Sequence, residues 1–207
     1  MHRKAFIMSF SKKHLDEAKK IIELLDPEQI EKLAEDLLII KKNSGRLFFL
    51  GVGGSAGNCS HAVNDFRKIV GIESYSATDN VSELTARTND EGWHSIFIEW
   101  LKVSKLGKND AIFIFSVGGG NLKKNISPNL INAIDFALKK DAKIFSIVGR
   151  NDGYAAEKSN RCIIIPNVNS EAVTPHSEAF QSVLWHLLVS HPKLKSNETK
   201  WESEEIK

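Results

Sequence analysis

LFFLGVGGSAGNCSHAVND, residues 47–65, changes character at its fifth position. Leu47, Phe48, Phe49 and Leu50 form a short apolar run, which ends in Gly51-Val52-Gly53-Gly54-Ser55. Such a run, closed by glycines, reads as a buried strand running into a tight turn. The helix-compatible segment that follows then begins at a glycine-serine N-terminus. Backbone N–H groups left unpaired at a helix N-terminus attract anions, phosphate above all. His61 and Asp65 stand four residues apart, which places them on one face of that helix. One segment thus offers a phosphate cradle and a polar pair just beyond it. That pattern suits chemistry on a small phosphorylated molecule.

The rest of the chain repeats this alternation. Strand-like runs lie at 46–51, 111–116, 143–148 and 161–165, with a weaker one at 72–75. Helix-like runs lie at 55–70, 81–87, 92–103, 130–140 and 171–189. Apolar strands alternating with amphipathic helices indicate an α/β fold whose parallel sheet is covered on both faces. Ahead of the first strand, residues 12–43 show a 3.6-type apolar spacing interrupted at Asp26-Pro27 and stopped at Asn43-Ser44-Gly45. This predicts an N-terminal helical hairpin, packed on the domain or on a second subunit. The segment 193–207 is polar, with Trp201 as its one candidate anchor.

Composition narrows the class. The 207 residues suit a single domain, and 42% apolar content supports a packed core. With 28 basic and 26 acidic residues the formal charge is +2, which argues against a dedicated nucleic-acid binder. Cys59 and Cys162 form no CxxC and no disulfide framework, which points to a reducing, cytoplasmic setting. No apolar run approaches the length of a membrane span, and the apolar patch within residues 1–10 is too short for a secretory signal.

Open α/β sheets bind ligands outside the carboxyl ends of their strands. Two strand ends here are glycine-rich. The first is Gly51-Val52-Gly53-Gly54-Ser55, and the second is Ser116-Val117-Gly118-Gly119-Gly120-Asn121. Their backbone N–H groups and the Ser55 and Ser116 hydroxyls are candidate phosphate donors. The first loop lacks the lysine of a P-loop, and Ala56 stands where GxGxxG needs its third glycine, so no nucleotide is expected. His61 and Asp65 can be set beside Glu178 and His186, eight residues apart on the last helix. These four groups read either as a divalent-metal site or as a general acid and base. Taken alone, His186 in Val183-Leu184-Trp185-His186-Leu187-Leu188 reads as a core residue. Asn89-Asp90-Glu91-Gly92 reads as a turn that caps the next helix, and Thr174 or Ser177 as a cap of the last one.

The motifs GVGGSAGNCSHAVND (51–65), NDEGWHSIF (89–97), FSVGGGN (115–121) and EAFQSVLWHLL (178–188) together resemble the sugar isomerase (SIS) domain, and within it the phosphoheptose isomerases. The resemblance runs from about residue 47 to 191 and makes 1–207 a single SIS domain. It implies a flavodoxin-like three-layer sandwich with a five-stranded parallel sheet and an N-terminal helical extension. It also implies a homotetramer with active sites between subunits, converting sedoheptulose 7-phosphate to glycero-manno-heptose 7-phosphate for lipopolysaccharide or capsule. By the same resemblance, Asp65 and His186 are the catalytic acid and base. One Zn²⁺, or another divalent ion, per active site is held by His61, Asp65, Glu178 and His186. Gly53, Gly54, Ser55, Asn89, Asp90, Ser116, Gly118, Gly119, Gly120, Asn121 and Glu178 bind the phosphosugar. The chain departs from the family pattern with Asp65 for a glutamate, Glu178 for a glutamine, and Val117, Gly118 and Gly120 for polar side chains. SIS domains also serve as non-catalytic sugar-phosphate-binding regulators or adaptors, or as isomerases of other phosphosugars, and these are the alternative readings.

Overall fold

A computed structural model describes residues 9–200; Trp201 and residues 1–8 lie outside it. Five strands form one all-parallel sheet in the order β2-β1-β3-β4-β5. They are β1 (Leu47–Leu50), β2 (Ser74–Ser76), β3 (Ala111–Ser116), β4 (Lys143–Val148) and β5 (Arg161–Ile164). The order reverses between β1 and β3, the topological switch point at which doubly wound sheets bind ligands.

Residues alternate between the two faces of each strand, so successive aromatic side chains enter different cores. Phe49, Phe113, Phe115 and Phe145 point into one core. They meet α2 (Pro27–Lys42), α3 (Gly54–Asp65) and α8 (Val173–Ser190) there. Phe48, Ile112, Ile114 and Ile144 point into the other, against α5 (Ile96–Val103), α6 (Pro128–Lys139) and α7 (Tyr154–Lys158). α1 (Phe10–Leu24) lies on the first side and α4 (Val81–Asp90) on the second, both more exposed. The result is the expected three-layer sandwich.

The N-terminal hairpin divides its roles. Asp26 caps α2 by accepting from the Glu28 N–H, and Pro27 occupies its first turn. Helix α2 buries Ile30, Leu33, Ala34, Leu37 and Ile40 on the domain. Helix α1 buries only Ile21 and leaves Phe10, Leu15, Ile22 and Leu24 exposed. At the opposite end of the sheet from the glycine loops, the Asp110 carboxylate accepts from the Arg46 backbone N–H, its guanidinium and the Gly107 N–H. Burial alone would raise the Asp110 carboxyl, but these bonds overcome it and hold its pKa below the usual value.

Helix α3 does not end cleanly. After Asp65 the chain makes one wide π-helical turn over Phe66–Val70, closed by Gly71 in the left-handed region. The Ser196 and Asn197 N–H groups donate to the Ile69 carbonyl at 2.9 and 3.0 Å, and Asn197 Nδ2 donates to the Lys68 carbonyl at 2.8 Å. Among the described residues, no helix is long and apolar enough to cross a membrane.

Candidate active site

Both glycine loops lie at strand carboxyl ends. After β1 the chain turns back so closely that a Cβ on Gly51 would stand 2.7 Å from the Ser55 carbonyl. That contact requires glycine. Gly53 precedes α3 as its cap with no side-chain bond, so the first-turn N–H groups keep their capacity for an anion. The Ser55 hydroxyl is buried and has no partner among the described residues.

The second loop is held by its own atoms. Ser116 Oγ accepts from the Gly119 N–H at 2.9 Å, with Gly119 at φ +71°. The Gly119 and Gly120 carbonyls accept from the Ala155 and Tyr154 N–H groups at the start of α7. With the carbonyls tied away, the Gly118 and Gly120 N–H groups make no hydrogen bond among the described residues. Asn121 instead bridges to Ile126, and its side chain accepts from the Lys124 N–H. The tie to α7 also positions Tyr154, whose hydroxyl donates to Asp135; that bond and burial push its pKa up to about 12.

Helices α3 and α8 bring three polar groups together. His61 Nε2 and His186 Nε2 each lie 3.9 Å from the same oxygen, Asp65 Oδ2. The other oxygen, Oδ1, accepts from Asn64 Nδ2 at 2.8 Å, which orients the carboxylate. His186 Nδ1 lies 2.8 Å from the Ser182 carbonyl. A carbonyl only accepts, so Nδ1 carries the proton and Nε2 faces Asp65 with its lone pair when the ring is neutral. Buried Trp185 stacks on His186 and meets His61 edge-on at 4.6 Å. His186 is therefore not the core residue its apolar neighbours suggest. Trp185 is buried, while His186 opens to the surface.

A separation of 3.9 Å is too long for a hydrogen bond. An ion bound at about 2.0–2.1 Å to each of two donors separates them by less than about 4.2 Å, so the spacing fits a shared metal. Ligand atoms of His61, Asp65 and His186 all lie within 4.8 Å of one another. The residues present therefore suit a borderline divalent ion such as zinc.

Glu178, expected as a fourth ligand, stands apart from this group. Eight residues along a helix return to nearly the same face but rise by about 12 Å. The Glu178 carboxylate lies instead beside Gly54, where a Cβ would collide with both of its oxygens. It thus sits at the N-terminus of α3, on the cradle side of the site.

Two other expectations change. Asn89 and Asp90 are the last two residues of α4, hydrogen-bonded to each other at 2.7 Å, and the next helix is preceded by Ser95. No hydrogen bond ties them to the cradle among the described residues. The last helix starts at Val173, after a short turn capped by Asn169, so neither Thr174 nor Ser177 caps it. One positioning residue is not evident from its spacing. Asn58 Nδ2 donates to the Glu178 carbonyl at 2.9 Å and to Gln181 Oε1 at 3.0 Å. Its Oδ1 accepts from the Ser182 hydroxyl at 3.1 Å, so Asn58 locks α3 to α8. A separate cleft of about 380 Å³ opens at the amino ends of β4 and β5 near Asp36, Lys143 and Arg161, away from both glycine loops.

No protein-family model matches the chain. The chain is 27% identical over 182 residues to a phosphoheptose isomerase of Helicobacter pylori, covering 84% of this chain and 88% of the relative. Its fold superposes on a phosphoheptose isomerase of Neisseria gonorrhoeae with a TM-score of 0.73 at 22% identity, over 86% of this chain and 94% of the other. The chain is phosphoheptose isomerase-like. A phosphoheptose isomerase from Francisella tularensis gives the same TM-score, 0.73, at 18% identity over 88% of this chain and 97% of the other.

Proposed function

We propose that the chain is an aldose–ketose isomerase of a phosphorylated sugar, interconverting sedoheptulose 7-phosphate and glycero-manno-heptose 7-phosphate. The observation that carries this reading is the convergence of His61, Asp65 and His186 further along the helix that starts at the glycine loop of the sheet's switch point. The similarity to phosphoheptose isomerases in sequence and fold supports it.

The two glycine loops hold the phosphate, through N–H groups of Gly53, Gly54, Ser55, Gly118 and Gly120 and the hydroxyls of Ser55 and Ser116. The sugar's C1–C2 end then faces α3 and α8. Aldose–ketose conversion moves one proton between C1 and C2 and one between their oxygens, through an enediol. Asp65 Oδ2, aimed away from Asn64, takes and returns the carbon-bound proton. His186 Nε2, its tautomer fixed by Ser182, serves the oxygens. His61, Asp65 and His186 would also hold a divalent ion, which would polarise the carbonyl; because it would use Asp65 Oδ2 and His186 Nε2 as ligands, that role competes with their proton transfer.

The reading includes a homotetramer with its sites between subunits, in a cytoplasmic setting. His61 and His186 keep 59% and 50% of their side-chain area exposed, and Val183 and Leu187 beside them are exposed too. Proton abstraction next to a carbonyl needs shelter from water, and a neighbouring subunit supplies it.

The test is incubation with sedoheptulose 7-phosphate and other ketose phosphates, with zinc and with chelator, followed by product NMR. Conversion of the heptose supports the proposal. Saturable binding of a sugar phosphate with no conversion in the presence of zinc would replace it with a regulatory module.

A further inference from the structure

We propose a second divalent transition-metal site, formed by His14 and Glu17 of α1 with His176 of α8. The three ligand atoms lie within 4.8 Å of one another. Two imidazoles and one carboxylate are a donor set that zinc and its neighbours favour. The site is independent of the isomerase reading. His176 and His186 are ten residues apart, which is about 15 Å along the helix.

His176 is 4% exposed, and its Nε2 lies 2.9 Å from Glu17 Oε2. The second carboxylate oxygen, Oε1, accepts from Asn169 Nδ2 at 2.8 Å. Fixing a carboxylate from behind in this way is what outer-shell partners do around bound metals. The hydrogen bond with His176, joined by that of Asn169, holds the Glu17 carboxyl below its usual range, in the ionised form a metal requires.

The His14 ring stacks on His176, with centroids 4.3 Å apart and planes 18° from parallel. Imidazole lone pairs lie in the ring plane, so stacked rings cannot both point at one ion. Metal binding therefore turns His14, the less buried of the two, out of the stack. Lys13 Nζ, largely exposed, lies 3.8 Å from the other oxygen, Glu17 Oε1, and leaves Oε2 to the ion. Protons on the ligating nitrogens leave to solvent. The ion pins α1 onto the helix that carries His186.

The test is zinc titration of the full chain by calorimetry and by metal analysis after dialysis. Working in the His61→Ala background removes the first site from the count. His61→Ala is expected to bind one zinc per chain, and His61→Ala/His14→Ala none. Adding Asn169→Ala to His61→Ala is expected to weaken zinc binding by about 10–100-fold. Imidazole ¹⁵N NMR of the unmutated protein gives a readout that needs no variant to fold. The His14 and His176 signals shift together on adding one equivalent of zinc beyond the first site. Equal zinc binding by the single and double variants, or His14 and His176 signals that zinc leaves unmoved, would overturn the proposal.

Discussion

Replacing Asn58 with alanine tests how the site is held. The amide makes three hydrogen bonds across the α3–α8 seam, two as donor and one as acceptor. Each contributes about 0.5–1.5 kcal/mol net, so their loss costs roughly 3 kcal/mol. That mid-range figure is not an overestimate, because Gln181 is fully buried and its Nε2 already lacks a partner among the described residues. Its Oε1 would then be stranded as well, and a buried unpaired acceptor costs about 1–3 kcal/mol. For a chain of this size a loss of 3 kcal/mol lowers the melting temperature by roughly 6–12 °C. Calorimetry and urea unfolding measure this directly. Asn58→Asp is the sharper control. It keeps the acceptor for Ser182 but turns a donor toward two oxygens into a carboxylate facing them, so it should destabilise at least as much. Turnover should fall in both variants, because the seam sets the distance from Asp65 to His186. A melting shift below 2 °C in Asn58→Ala, with turnover unchanged, would refute the seam as the positioning element.

Asp65→Asn and His186→Ala should each lose at least about 10²-fold in turnover while keeping wild-type circular dichroism; wild-type rates in either would remove it from the catalytic pair. Glu178→Gln removes a carboxylate from the N-terminus of α3, where the proposed function has the substrate phosphate meet the helix dipole. A term of about 0.3–1 kcal/mol predicts a two- to fivefold lower KM for the phosphosugar, and an unchanged KM would place the phosphate elsewhere. Chelation should lower turnover, and added zinc should restore it; indifference to both argues against a metal at His61. The Asp110 pKa lies below its unfolded value of about 3.9, so its pairing stabilises the fold above that pH and is lost as pH falls through the folded value. Acid titration of stability should therefore be flatter below about pH 4 in Asp110→Asn than in the wild type.

Sequence pattern locates the sheet well where side chains alone decide it. β3 and β4 occupy the bounds that their runs of Phe, Ile and Val suggest, because both are buried central strands. β2 is shifted toward its carboxyl end, since Ser-Tyr-Ser at an edge gives little hydrophobic signal. α7 is invisible in the sequence. Five residues are too few for periodicity, and it forms where its first N–H groups meet the Gly119 and Gly120 carbonyls. At the site, His61 and Asp65 are legible because one turn of helix separates them. Pairing them with His186 requires knowing that α3 packs on α8, which the resemblance supplies and local spacing does not. Glu178 misleads because a shared helix face says nothing about height along the axis. Asn58 escapes because all of its partners lie more than a hundred residues away. His176 is two residues from Glu178 in sequence, yet its partners belong to α1.

The π turn behind Asp65 bears on the order in which the molecule is built. Its carbonyls at Lys68 and Ile69 are satisfied by Ser196 and Asn197, and the Asn197 bond spans 129 positions of chain. A ribosome adds roughly 5–20 residues per second, so several seconds separate the emergence of the acid's helix from that of its closing cap. α8, which brings His186, arrives in the same late interval. A nascent chain that has completed its sheet thus carries Asp65 on an unfinished helix end without its partner histidine. The joined His61–Asp65–His186 cluster is among the last features the growing chain acquires.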